Sequence, residues 1–356
     1  MLCSNMEYPK HSVGLNLAFL FLLLAGALYL YIWSSSEFTT PILSFQKEMR
    51  CPLTNSTNFK ASQDELETAL AKASTENKTV IIAVINKAYA EQNINDETTM
   101  LDLFLNSFWL GEDTKQLLDH LLLVAVDKTA YDRCQFLRLN CYKLKTDGVD
   151  FMGEKLYMSE EFIKMMWRRT WFLLEVLKRG YNFIFSDTDV MWLRNPFEKL
   201  SKDETEDLQI STDRYLGNPW NSKHMINTGF YFVRSNNKTI ALFDKWFSKK
   251  DNSTGLKEQD VLLGLIQGGA MGQLGLKVRF LDTLYFSGFC QDSKDFRRVT
   301  TVHANCCKSI KAKLSDLRVV LRDWKNFTMF DEREGDLNGT HTFRWTRHSG
   351  CLKSWR

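Results

Sequence analysis

Three apolar runs restrict this chain more than any other feature: residues 79–85 (TVIIAVI), 121–126 (LLLVAV) and 181–186 (YNFIFS). They are rich in β-branched or aromatic side chains with little polar alternation, the pattern of strands buried on both faces. Each meets a polar residue at its end: Asn86, Asp127 and Asp187. Helical patterns lie before and between them, at 65–73, at 101–110 and after Ser159. Ser159 is placed to cap the last of these. Glu160 and Glu161 sit in its positive first turn, and Lys178, Arg179 and Gly180 close its end. Downstream, strands are expected at 229–233, 277–281 and 299–303, with a helix at 258–266. Strands alternating with helices predict an α/β fold with a Rossmann-type, mostly parallel sheet flanked by helices. Ligands bind beyond the carboxyl ends of such strands, where Asp127 and Asp187 fall.

Composition removes several function classes. Against 43 Asp and Glu stand 46 Lys and Arg, a net charge of +3, so the chain lacks the electrostatic footprint of a nucleic-acid binder. A hydrophobic share of 44% with 25% charged residues excludes a disordered bulk. Aromatics at 13%, with ten Trp, suit either sugar stacking or a rich core.

Residues 13–33 contain no charge and one polar side chain, Asn16. At about 1.5 Å per residue the run is about 31 Å long, enough for a bilayer core. A cleaved signal peptide would stop sooner, after about 7–15 apolar residues. The expected organisation is a cytosolic tail (1–12), a signal anchor (13–33), a stem (34–60) and a lumenal catalytic domain (61–356). Lys10 and His11 before the run, and Glu37 after it, orient the domain to the lumen. Asn-X-Ser/Thr acceptors at Asn55, Asn77, Asn237, Asn252, Asn326 and Asn338 agree with a glycoprotein. Beyond the anchor lie Cys51, Cys134, Cys141, Cys290, Cys306, Cys307 and Cys351. An oxidising lumen would pair some of them, and Cys134 and Cys141 are close enough to bridge a small loop. Zinc on His303, Cys306 and Cys307 is disfavoured, since adjacent cysteines lack the usual ligand spacing.

Asp187-Thr188-Asp189 carries the chemistry. Residues i and i+2 of an extended segment point the same way, so two carboxylates converge just past a strand end. They repel unless a cation lies between them, and oxygen ligands favour Mn²⁺ or Mg²⁺ with positions open to phosphate. Arg169 falls on the apolar stripe Phe162, Met166, Leu173, Leu177, and a cation there needs a partner.

The segment 180–197 (GYNFIFSDTDVMWLRNPF) resembles the signature of the plant nucleotide-diphospho-sugar transferase family, grouped with glycosyltransferase family 77. So do 226–236 (INTGFYFVRSN), 257–262 (KEQDVL) and 302–317 (VHANCCKSIKAKLSDL). The resemblance spans about 79–324. It implies a GT-A fold, a single-pass type II Golgi membrane protein, a divalent metal, a nucleoside diphosphate sugar donor (a UDP-sugar first of all) and retention at the anomeric carbon. Site residues carry over with it. Asp187 and Asp189 match the DxD, with Asp189 the direct ligand and Asp187 reaching ribose or metal, and His303 completes the metal set. Lys313 would hold the diphosphate, and Arg169 the donor sugar or phosphates. Asn227 and Gly229 would line the donor and acceptor pocket, and Gln259 and Asp260 the acceptor side. Asn86 to Tyr89 and Asp127 would meet base and ribose. The partners implied are a nucleotide sugar and a glycan or glycoprotein acceptor, in cell wall biogenesis, with a second copy of the chain a candidate. The Cys351-containing tail is unexplained by the signature.

Two other readings compete. A glycoside hydrolase also uses paired carboxylates, but on opposite sides of the scissile bond, about 5 Å or more apart. A non-catalytic glycan-binding or scaffold protein on the same fold would have lost polar site positions, and none is missing.

Overall fold

A computed structural model describes residues 64–91, 98–146, 158–334 and 343–355, with 153 and 155 between them. In chain order the elements used below are α1 (Glu65–Ala73), β1 (Thr79–Ile85), α2 (Met100–Leu110), β2 (Leu121–Ala125), α3 (Lys128–Phe136), β3 (Asn140–Lys143), α4 (Glu160–Lys178), β4 (Asn182–Ser186) and β5 (Val190–Trp192). They continue with β6 (Leu208–Arg214), β7 (Met225–Val233), α5 (Asn237–Phe247), α6 (Glu258–Gln267), β8 (Val278–Phe280), β9 (Phe286–Gly288), β10 (Thr301–His303), α7 (Ile310–Glu334) and α8 (Ser349–Lys353).

Among the described residues the main sheet has seven strands, ordered β3-β2-β1-β4-β7-β6-β8. Strand β7 runs against both neighbours and the other pairings are parallel. The fold is therefore mixed α/β with a mostly parallel central sheet flanked by helices. Strand alternation divides the core into two layers. Ile81, Ala83 and Ile85 of β1 join Leu121, Leu123 and Ala125 of β2 in one apolar cluster, with α2 and α7. Val80 and Ile82 join Leu122 and Val124 in the other, under α1, α4, α5 and α6. The aromatic share goes largely into these layers: Trp192, Trp246 and Trp324 are buried. Their indole N–H groups donate to Ser186 Oγ, Glu258 O and Leu110 O at 3.0, 2.7 and 3.0 Å, so burying each ring strands no donor.

Helix α4 begins as its cap requires, Ser159 Oγ accepting from Phe162 N at 3.2 Å. A smaller three-stranded sheet, β5-β10-β9, starts just after the carboxyl end of β4. It brings 302–317 back beside the Asp187–Asp189 turn. Three disulfides join Cys134 to Cys141, Cys290 to Cys306 and Cys307 to Cys351. Cys306 and Cys307 are thus spent on bridges, which removes a zinc cluster with His303. Cys51 lies outside the described residues.

The expected single-pass type II placement in a Golgi membrane is corrected. Among the described residues no helix is long and apolar enough to cross a membrane. Residues 1–12, 13–33 and 34–60, on which that expectation rested, lie outside the described residues.

Candidate active site

Strand pairing assembles the site. Antiparallel pairing of β4 with β7 sets Ser186 opposite Phe230, and Asp187 N donates to Gly229 O at 2.7 Å. Antiparallel pairing of β5 with β10 sets His303 opposite Val190, and Ala304 N donates to Asp189 O at 3.0 Å. The two acids and the imidazole converge: their nearest ligand atoms all lie within 4.8 Å of one another. The first turns of α7 supply Lys313. A cavity of about 280 Å³ opens in front of these groups, at the carboxyl end of the sheet.

Gly229 is dictated by this crowding. A Cβ there would lie 2.3 Å from His303 Cε1 and 2.9 Å from Asp187 Oδ2, so any side chain would displace the converging groups.

The two acids sit in opposite electrostatic settings. Asp189 is buried, with His303 Nε2 3.3 Å from Oδ1 and Lys313 Nζ 2.7 Å from Oδ2. Burial raises its pKa, but the adjacent Lys313 and His303 charges outweigh that and hold it well below the usual carboxylate range. Asp187 goes the other way. Burial raises its pKa, and the Asp189 charge adds to the rise against the pull of Arg169. Burial lowers the pKa of His303, yet Asp189 more than reverses this and leaves it raised. Lys313 behaves in the same manner, raised overall by Asp189 against burial.

A divalent cation fits the residues present. Asp187, Asp189 and His303 bring one ligand atom each within 4.8 Å of one another, and Asp189 Oδ2 is held by Lys313 Nζ at 2.7 Å. Two carboxylates and an imidazole suit Mn²⁺ or Mg²⁺.

Arg169 finds the partners that its place on the apolar stripe demanded. Its guanidinium donates to Asp187 Oδ1 at 2.9 Å and to Glu258 Oε1 at 2.6 Å, and lies 4.5 Å from the Phe185 ring centroid. It therefore fixes Asp187 from behind. Thr228 locks α6 to β7: its N donates to Gln259 Oε1 at 3.0 Å and its Oγ1 to Glu258 Oε1 at 2.9 Å. Asn227 Oδ1 accepts from Gly229 N, and its Nδ2 donates to Asp213 Oδ1, both at 2.8 Å. Asn305 Nδ2 donates to the same oxygen at 2.8 Å.

Of the residues singled out in the sequence, Asp187, Asp189, His303, Arg169, Asn227, Gly229, Gln259 and Lys313 line the cavity, as do Asn86 and Tyr89. Two do not. The Asp127 carboxylate caps α3, Oδ1 accepting from Ala130 N at 2.8 Å and Oδ2 from Lys87 N at 2.5 Å. It ties the ends of β1 and β2 together rather than facing a ligand. Asp260 sits in the first turn of α6, outside the cavity lining, while Glu258 and Gln259 before it face in. Each residue advances about 100° around a helix, so the three cannot share one face. Asp213, Glu258, Asn305 and Trp355 were missed. The need of Arg169 for an anion pointed to Glu258, one residue before Gln259 in KEQDVL.

The family model for nucleotide-diphospho-sugar transferases matches residues 116–317. An uncharacterised protein of Arabidopsis thaliana is 57% identical over 295 residues, 82% of this chain and 84% of that one. A β-arabinofuranosyltransferase of the same plant is 29% identical over 245 residues, 62% of this chain and 41% of its own length. A UDP-D-xylose:L-fucose α-1,3-D-xylosyltransferase, again from Arabidopsis thaliana, is 24% identical over 241 residues, 64% of this chain and 62% of that one. With four motifs in order, a matching family model and the acids gathered at the sheet's carboxyl end, the chain belongs to the plant nucleotide-diphospho-sugar transferase family.

Proposed function

We propose that this chain moves a glycosyl group from a nucleoside diphosphate sugar, a UDP-sugar, to a hydroxyl of a glycan or glycoprotein, with retention and with a divalent cation at Asp187, Asp189 and His303. One observation carries this reading: two carboxylates, an imidazole and a lysine meet at one cavity. When bound, the cation supplies Lewis-acid stabilisation of charge on the departing diphosphate. Lys313 adds a fixed positive charge beside it. Arg169 keeps Asp187 oriented, and the Thr228 contacts hold Gln259 and Glu258 against the sugar side of the cavity. Preorganised charge of this kind costs no reorganisation when the bond breaks.

In a front-face route the anomeric carbon–phosphate oxygen bond breaks as the acceptor oxygen bonds to the same face. The acceptor proton passes to the departing phosphate. This route suits the site because Asp187 and Asp189 are committed to cations, so neither is free as a nucleophile.

A donor screen of the purified protein, read by released nucleoside diphosphate, tests the reading. Turnover of at least one UDP-sugar is expected with Mn²⁺, falling at least about 100-fold on chelation. Release from no nucleotide sugar, or equal release with chelator present, would contradict it.

A further inference from the structure

The segment 343–355 belongs to none of the family motifs, yet it is fastened to the active site. Cys351 of α8 is bonded to Cys307, and the adjacent Cys306 to Cys290. The Asp316 carboxylate accepts from Gly350 N at 3.1 Å and Cys351 N at 2.7 Å. His348 pairs with Asp292 at 3.0 Å and stacks on Phe289, ring centroids 3.7 Å apart. These ties deliver Trp355 to the wall of the cavity, where its Nε1 donates to Cys306 O at 2.7 Å. The residue nevertheless stays 52% exposed, with Lys308 Nζ 4.2 Å from the ring centroid.

We propose that Trp355 is a stacking platform for a sugar ring of the acceptor, held at the cavity mouth by the Cys307–Cys351 bridge. The proposal rests on the transferase reading above. Diphosphate oxygens need cations, and Lys313 with the metal-ligating trio serves them; an indole face offers them nothing. With its polar edge satisfied and Lys308 over one face, the indole keeps its other face as a flat apolar surface, which suits the C–H face of a sugar. The donor must enter and be enclosed. The acceptor hydroxyl belongs to a larger glycan or glycoprotein that stays mostly outside, so its sugar meets the mouth. A side chain fixed by a hydrogen bond and a nearby disulfide also has little freedom left to lose on binding.

Saturation-transfer NMR tests this with UDP and Mg²⁺ present. The probes are the methyl glycosides of L-fucose, L-arabinose, D-xylose and D-galactose, and the proteins are the full chain, Trp355→Ala and Trp355→Phe. At least one glycoside is expected to bind. Trp355→Ala should weaken it at least about tenfold and Trp355→Phe less than about threefold. The paired substitution Cys307→Ser with Cys351→Ser should weaken it as well, because the platform is no longer pinned. Calorimetry should show UDP affinity kept within about twofold in Trp355→Ala. Equal glycoside binding in Trp355→Ala, or no glycoside bound by the unaltered chain, overturns the platform. If UDP still binds in that case, only the platform falls. If UDP fails to bind the unaltered chain, the transferase reading falls with it.

Discussion

Asp189→Asn is expected to lower transferase turnover about 10³-fold while leaving the fold in place. The substitution keeps the side chain's shape but removes the charge that both His303 and Lys313 face, at 3.3 and 2.7 Å. It also removes one carboxylate of the group proposed to hold the cation. Losing one fixed stabilising group of this kind costs about 10²–10³ in rate, and weakened metal binding adds to that. Steady-state kinetics with saturating Mn²⁺, together with circular dichroism of both proteins, measures it. A variant within about fivefold of the unaltered turnover would show that Asp189 does not hold the cation.

The second large effect falls on stability. Arg169→Met should cost about 3–5 kcal/mol of unfolding free energy, because removing one member of a buried ion pair leaves the others uncompensated. Side-chain exposure is 5% for Arg169 and 2% for Glu258, so water cannot replace the lost contact. Glu258 Oε2 already lacks a hydrogen-bond partner, which leaves this acid dependent on the arginine. Adding Glu258→Gln to Arg169→Met should recover part of the loss, since the stranded charge is gone. Urea denaturation of the single and double variants checks both statements. A loss below about 1 kcal/mol in Arg169→Met would mean that the triad contributes little.

Much of the site was legible because its geometry is local. Asp187 and Asp189 do converge as the sequence led us to expect, though through a turn after β4, closed by Val190 N donating to Asp187 O at 3.2 Å, rather than through an extended segment. An arginine on an apolar stripe announced a buried partner. The burial of β1, β2 and β4 followed from unbroken apolar runs. What stayed hidden depends on segments distant in sequence. The reversed direction of β7 cannot be read from GFYFV, since an antiparallel strand buried on both faces has the same pattern. The pairing of Cys290 with Cys306, and of Cys307 with Cys351, depends on how loops return to the sheet, which spacing does not specify. Asp127 shows that an acid at a strand end is also a good helix cap, a second use the strand pattern does not announce. Asp260 was placed on the acceptor side by the resemblance alone, and the helical rotation of α6 sets it outside the cavity lining that Glu258 and Gln259 share. The 13–33 run is a separate matter: it lies outside the described residues, and the helices that are described carry no span.

The central claim is that Asp187, Asp189 and His303 hold one divalent cation that in turn binds a nucleoside diphosphate. Calorimetric titration of UDP into the unaltered protein, first with Mn²⁺ and then after chelation, tests it most directly. The expected result is saturable one-to-one binding with Mn²⁺ that weakens at least about tenfold without it. UDP binding of equal strength in both conditions, or in neither, would contradict the claim.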